Sequence, residues 1–240
     1  MNSLILCEGM TDAILLSYYL IKTAGWSYCK QPKDIAIIED KIKGESVNWY
    51  KKNEDRLLIC GVGGKDKMKS FFADKILRTM TDAAAFSKIA VVLDRDDKEI
   101  TDIEAHASSI FQPVIKSMIN NQWISNTYKG PYLDENVEAL LVVIPTEHEG
   151  ALETLLMDSI SEDPYDAVIV QKAGEFVADI EPDAGKYLVA RRDKLKAHLG
   201  VTWAIQYPEK VFRFINDQIN SVEWEKSEVL SECFKELIKI

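Results

Sequence analysis

Short apolar runs alternate with amphipathic stretches through the first two thirds of the chain. Leu4 to Cys7 is the first run and predicts a buried strand that begins at once. Ile35-Ala36-Ile37-Ile38, Leu57-Leu58-Ile59-Cys60, Ile89 to Leu93 and Leu140 to Ile144 predict four more. Between them, Ile14, Leu15, Tyr18 and Ile21 repeat at helical spacing. That helix is expected to open at Thr11 as N-cap, with Asp12 in its first turn, and to close at Gly25. Phe71, Phe72, Ile76 and Leu77 mark a second helix. Ile103, Ala107, Ile110, Val114 and Met118 mark a third, kinked at Pro113. Ala151 to Ile160 is a short fourth. Residues 40–56 are polar and lysine-rich and read as a loop.

Strands that are apolar on both faces and alternate with helices imply an α/β fold: a mostly parallel sheet flanked by helices. The pattern changes near residue 160. Residues 165–178, 184–199, 208–219 and 225–238 show helical periodicity and no convincing strand. The expected organisation is an α/β domain over 1–160 and an all-helical C-terminal region over 161–240.

Composition narrows the class. The 240 residues suit one enlarged domain or a domain with an appendage. No apolar run approaches the ~20 residues that span a bilayer, so no membrane association is expected. The first residues lack the basic region of a signal peptide. Cys7, Cys29, Cys60 and Cys233 are scattered, as free thiols of a reducing cytoplasm would be. His106, His148 and His198 are isolated, which argues against zinc. The net charge of −10 argues against a protein that coats nucleic acid, but leaves room for an enzyme that acts on it.

Three acidic residues fall at strand ends, where open α/β sheets place their ligands. Glu8 follows the first strand; Asp94 and Asp96 follow the fourth. If the chain stays extended past Leu93, Asp94 and Asp96 point to one side. Carboxylates held together repel, and a hard divalent cation resolves the conflict. The bland alternative is that aspartates simply favour turns and caps, as Asp97 could before the next helix. Gly63, Gly64 and Lys65 lie between a strand and a helix. They read either as a phosphate-approaching loop with an added cation or as a tight turn with a solvated lysine, and Lys67 and Lys69 could extend a basic rim. The Walker A spacing is absent. Arg191, Arg192, Lys194 and Lys196 read as a solvated helix face or a contact for nucleic acid or a partner. Trp203, Phe212 and Trp224 read as core or interface residues.

Leu4-Ile5-Leu6-Cys7-Glu8-Gly9-Met10-Thr11-Asp12 and Val91-Val92-Leu93-Asp94-Arg95-Asp96-Asp97 resemble, in this order, the two motifs of the Toprim superfamily. The likeness covers residues 1 to about 160. It implies a Toprim-like fold and a Mg²⁺ (or Mn²⁺) site at Asp94 and Asp96, with Glu8 as metal ligand or general acid/base. The chain lacks the gate domains of topoisomerases and the cysteine clusters of primases and recombination mediators. The remaining resemblance is to stand-alone nucleases of the OLD-like group. Those nucleases have a similar glycine stretch, and an acidic Leu-Glu dipeptide that Leu152-Glu153 resembles, so the likeness implies Glu153 as a ligand of a second metal. Glu153 equally suits the start of a helix through the dipole. The resemblance further implies cleavage of phosphodiesters in DNA or RNA, a setting in prokaryotic phage defence, and either a homodimer or a complex with a partner ATPase or effector. The alternative is a non-catalytic Toprim scaffold that binds nucleic acid or serves as an effector subunit of a larger complex. A receiver domain or a dehalogenase-type phosphatase would carry its aspartates after different strands.

Overall fold

The computed structural model describes residues 1–210 and 215–240. Seven strands, β1 (Asn2–Cys7), β2 (Ser27–Cys29), β3 (Ser46–Lys52), β4 (Asp55–Gly61), β5 (Lys88–Asp94), β6 (Ile124–Lys129) and β7 (Asp134–Ile144), form one sheet. Their order is β2-β3-β4-β1-β5-β7-β6. The four central strands, β4, β1, β5 and β7, are parallel, and these are the apolar runs of the sequence. β3 and β6 run antiparallel beside them, and β2 pairs antiparallel with β3.

Side chains alternate between the faces, as the strand period requires. Leu4, Leu6, Leu58, Val91 and Val143 pack against α2 (Met68–Phe71) and α4 (Ile100–Ile110). A π-helical turn, Phe72–Ile76, joins α2 to α3 (Leu77–Ala83). Ile5, Ile59, Val92 and Val142 pack on the other face against α1 (Met10–Ala24) and α5 (Leu152–Ile160). The later helices are α6 (Pro164–Ile180), α7 (Arg191–Gln206), α8 (Ile215–Ile219) and α9 (Glu228–Cys233). This region carries no strand among the described residues, and its Trp203, Trp224, Leu230 and Phe234 are buried in this same second core. The described part of residues 161–240 therefore completes the cover of the sheet and shares its core. Phe212 lies outside the described residues.

Several expectations need correction. Ile35 and Ile37 are buried, but residues 35–38 pair with no strand, and Ile38 is exposed. Alternating burial there comes from an irregular segment lying on the core. Residues 40–56 are not all loop, because they hold β3, with Trp49 and Tyr50 buried and Lys51 and Lys52 exposed. β6 is hidden in the sequence by its polar outer face: Ser125, Thr127 and Lys129 are exposed around buried Asn126 and Tyr128. Polar residues are what a sheet margin requires. The third helix stops at Ile110 and does not reach Met118; Val114 and Met118 are buried from irregular chain around Pro113, which has no N–H to continue a helix. Gly9, not Thr11, is the N-cap of α1. The helix expected at 184–199 begins at Arg191.

One topological feature positions the site. The chain leaves β1 through α1 to one face, and leaves β5 through α4 to the other. β1 and β5 are neighbours. Diverging connections from adjacent parallel strands open a crevice at their carboxyl ends. Among the described residues no helix is long and apolar enough to cross a membrane.

Candidate active site

Glu8 and Asp94 end the two strands that flank this crevice, and both are buried to 1% exposure. Glu8 Oε1 accepts the backbone N–H of Asp94 at 2.9 Å, which ties the strand ends together. Asp94 Oδ1 accepts the N–H of Leu152 at 2.9 Å, so the first turn of α5 donates into the site. Two further carboxylates join them. Asp12, in the first turn of α1, uses Oδ2 to accept the Gly9 N–H at 3.1 Å, and Glu153 lies in the first turn of α5. Both are buried. Glu8 Oε2, Asp12 Oδ1 and Glu153 Oε2 are buried oxygens without a hydrogen-bond partner.

One cation reaches into this group from the C-terminal helices. Arg192, at the start of α7, donates from Nη2 to Asp94 Oδ2 at 2.9 Å, and its Nη1 lies 3.6 Å from Glu8 Oε2. Burial and the neighbouring Glu8 and Asp12 charges push the Asp94 carboxyl up to about 9. Burial and Glu8 push Asp12 up to about 7. Glu8 is raised by burial, against the opposing pull of the Asp94 N–H, Lys65 and Arg192. Burial alone would lower Arg192; the surrounding carboxylates raise it on balance. Four buried carboxyls share one guanidinium, so at neutral pH the excess charge must be met by protons or by another cation.

Asp96 does not point with Asp94. Its backbone turns into the left-handed region (φ 55°), and it bridges Gly150 through two backbone hydrogen bonds. Its side chain is an ion-pair partner of Lys65, with Nζ to Oδ2 at 2.7 Å. The expectation of an extended chain past Leu93 therefore fails, and Asp96 sits at the rim, 42% exposed. The glycine loop also differs from an open phosphate cradle. Gly64 gives its N–H to the Glu8 carbonyl at 2.7 Å, and a Cβ on Gly63 would stand 2.5 Å from the Lys43 carbonyl. Gly63 and Gly64, both at positive φ, let the loop fold tightly against the end of β1. Lys65 is the member of that loop that reaches the site.

Glu8, Asp94 and Glu153 thus come together, and Asp96 and Lys65 form a pair beside them. Two further residues of the site are not marked as such in the sequence. Asp12 ends the Leu4-to-Asp12 segment, where it reads as a first-turn acid and not as a site residue; its spacing of four from Glu8 across a tight turn is the available signal. Arg192 offers none beyond membership of a basic stretch, because its place depends on how α7 docks.

Among the described residues, no three His, Cys, Asp or Glu side chains are already grouped to hold one metal ion. The guanidinium of Arg192 stands where Glu8 and Asp94 would share one. The donor set nevertheless suits a hard ion: all its side-chain donors are carboxylate oxygens, three of them buried and without a hydrogen bond. Glu8, Asp94, Glu153 and Asp12 would hold Mg²⁺ or Mn²⁺, with Asp96 and Lys65 alongside.

The model of the family DUF3226, described as a protein of unknown function, matches residues 2–239. No curated protein matches the chain. A solved structure similar to it is that of the hypothetical protein PH0156 from Pyrococcus horikoshii OT3, at 15% identity and a TM-score of 0.46, covering 98% of this chain and 99% of that one.

Proposed function

The chain belongs to the DUF3226 family, and we propose that it is a Mg²⁺- or Mn²⁺-dependent enzyme that cleaves phosphodiester bonds in DNA or RNA. The observation that carries this reading is the convergence of Glu8, Asp12, Asp94 and Glu153, all buried, at the carboxyl ends of adjacent parallel strands. The Glu8-Gly9 and Asp94-x-Asp96 segments that resemble Toprim motifs support it. A bound divalent cation would neutralise charge on the attacking and leaving oxygens. Glu8, whose carboxyl is raised by burial, suits proton donation to the leaving oxygen or uptake from the nucleophile. Lys65, paired with the partly exposed Asp96, is available to a phosphate at the rim.

One observation favours a second reading, a non-catalytic nucleic-acid-binding or effector scaffold. Arg192 already pairs with both Glu8 and Asp94. Incubation of the purified chain with plasmid, single-stranded DNA and transfer RNA, in Mg²⁺, Mn²⁺ or EDTA, separates the two. Cleavage that needs the metal and is lost in Asp94→Ala supports the enzyme; binding without cleavage supports the scaffold.

A further inference from the structure

Arg192 holds the most exposed anchorage in the site. Its side chain is 43% exposed, while both carboxylates it contacts are buried to 1%. The segment that carries it is weakly held. None of residues 178–198 is buried. In α7 the buried residues are Leu199, Thr202 and Trp203, all in the second half of the helix. Among the described residues, the first half touches the core only through the partly buried Leu195. The other attachments of this stretch are polar: Arg191 to Glu149 at 3.5 Å and Lys194 to Glu181 at 2.5 Å, both exposed or half-exposed, and, at the far end from Arg192, His198 Nε2 to the Val170 carbonyl of α6 at 2.7 Å. Glu181 belongs to the same stretch, so that pair ties it to nothing else. Segments with few buried apolar contacts open first.

We propose that Arg192 is a built-in competitor for the divalent cation, so that metal entry requires the first turns of α7 to withdraw from Glu8 and Asp94. The proposal rests on the cation-site reading above. A guanidinium and a divalent ion brought to the same two carboxylate oxygens repel each other, so whichever binds disfavours the other. By linkage the competition is reciprocal: metal loosens α7, and anything that draws α7 away raises metal affinity. An electronegative phosphate backbone is suited to draw it away, since Arg191 and Arg192 would exchange carboxylate partners for phosphate oxygens. Substrate binding and metal loading then reinforce each other.

The test is Mn²⁺ titration calorimetry on the full chain, comparing wild type with Arg192→Gln and Arg192→Lys, together with hydrogen exchange of residues 190–196 with and without Mn²⁺. Thermal melts establish that each variant is folded. The expected result is Mn²⁺ binding about tenfold tighter in Arg192→Gln. Arg192→Lys should fall between, because it keeps the charge and loses the planar fork. In the wild type, Mn²⁺ should speed exchange at 190–196. Binding by the variant alone would equally support the competition. Equal or weaker binding by folded Arg192→Gln, or α7 amides that Mn²⁺ protects, overturns the competition while leaving the cation site standing. Absence of binding in the wild type and both variants overturns the competition and the cation site together.

Discussion

Glu8 accepts the backbone N–H of Asp94, at 2.9 Å, across the two neighbouring strands from which the chain departs to opposite faces of the sheet. The bond uses one Glu8 oxygen and leaves the other, Oε2, buried without a hydrogen-bond donor. Structure and chemistry are thereby divided within one carboxyl group. Glu8→Gln keeps an acceptor for the Asp94 N–H and removes the titrating group. Cleavage of nucleic acid should fall at least 100-fold, within the range of about 10²–10⁴ for a lost general acid or base, with little change in melting temperature. An active Glu8→Gln protein would leave Glu8 only its strand-tying role.

Asp94 and Asp96 should separate by function, although they are two residues apart. Asp94 faces Arg192 and the start of α5, whereas Asp96 turns away to Lys65. Asp94→Ala should abolish Mn²⁺ binding measured by calorimetry. Asp96→Ala should weaken it only a few-fold, through the freed Lys65 charge. Equal losses would mean that Asp96 swings back as a ligand.

The raised carboxyls set the pH dependence of stability. An unfolded aspartate titrates near 3.9, and Asp94 in the fold is pushed up to about 9. Between these values the folded state binds the extra proton. Stability is therefore fullest at low pH and falls as pH rises from about 4 towards 9, by at most about 1.4 kcal/mol per pH unit for this group. Asp12, raised to about 7, adds to the slope up to neutrality. Urea unfolding without metal should show Asp94→Asn more stable than wild type at pH 8, less so at pH 5, and close to it at pH 4. A wild-type stability that is flat from pH 5 to 8 would mean that the carboxyls are ionised and compensated.

Much of this is legible from residues alone, for identifiable reasons. The four central strands are apolar on both faces because helices cover both, and that makes continuous runs such as Ile89 to Leu93 easy to read. Glu8 and Asp94 are visible because a charge directly after such a run must stand at the sheet edge. β3 and β6 are not visible. β6 is an edge strand, where polar residues are favourable, and β3 mixes Asn48, Lys51 and Lys52 with its buried Trp49 and Tyr50, so no apolar run forms in either. Asp96 is misplaced by the sequence pattern because one left-handed residue reverses the direction of a side chain, and Asp reaches that conformation readily enough to leave no mark in sequence. Arg192 stands 98 residues from Asp94, and no local pattern encodes that meeting.

Gly61 supplies a test of the site's frame that does not touch its chemistry. An added Cβ there would lie 2.5 Å from the Gly9 carbonyl oxygen and 2.8 Å from the carbonyl carbon. The end of β4 therefore approaches the Glu8-Gly9 turn as closely as backbone permits. Gly61→Ala should destabilise the protein by about 1–3 kcal/mol in urea unfolding, as overpacked sites do. A neutral result would show that the turn after β1 can shift, and with it Glu8.

The most direct measurement of the central claim is the location of Mn²⁺ by anomalous scattering in crystals of the protein grown or soaked with the ion. The expected result is an anomalous peak bonded to carboxylate oxygens of Glu8 and Asp94, with the Arg192 guanidinium moved off them. The contradicting result is Arg192 still joined to Glu8 and Asp94 at saturating Mn²⁺, with no peak among Glu8, Asp12, Asp94 and Glu153.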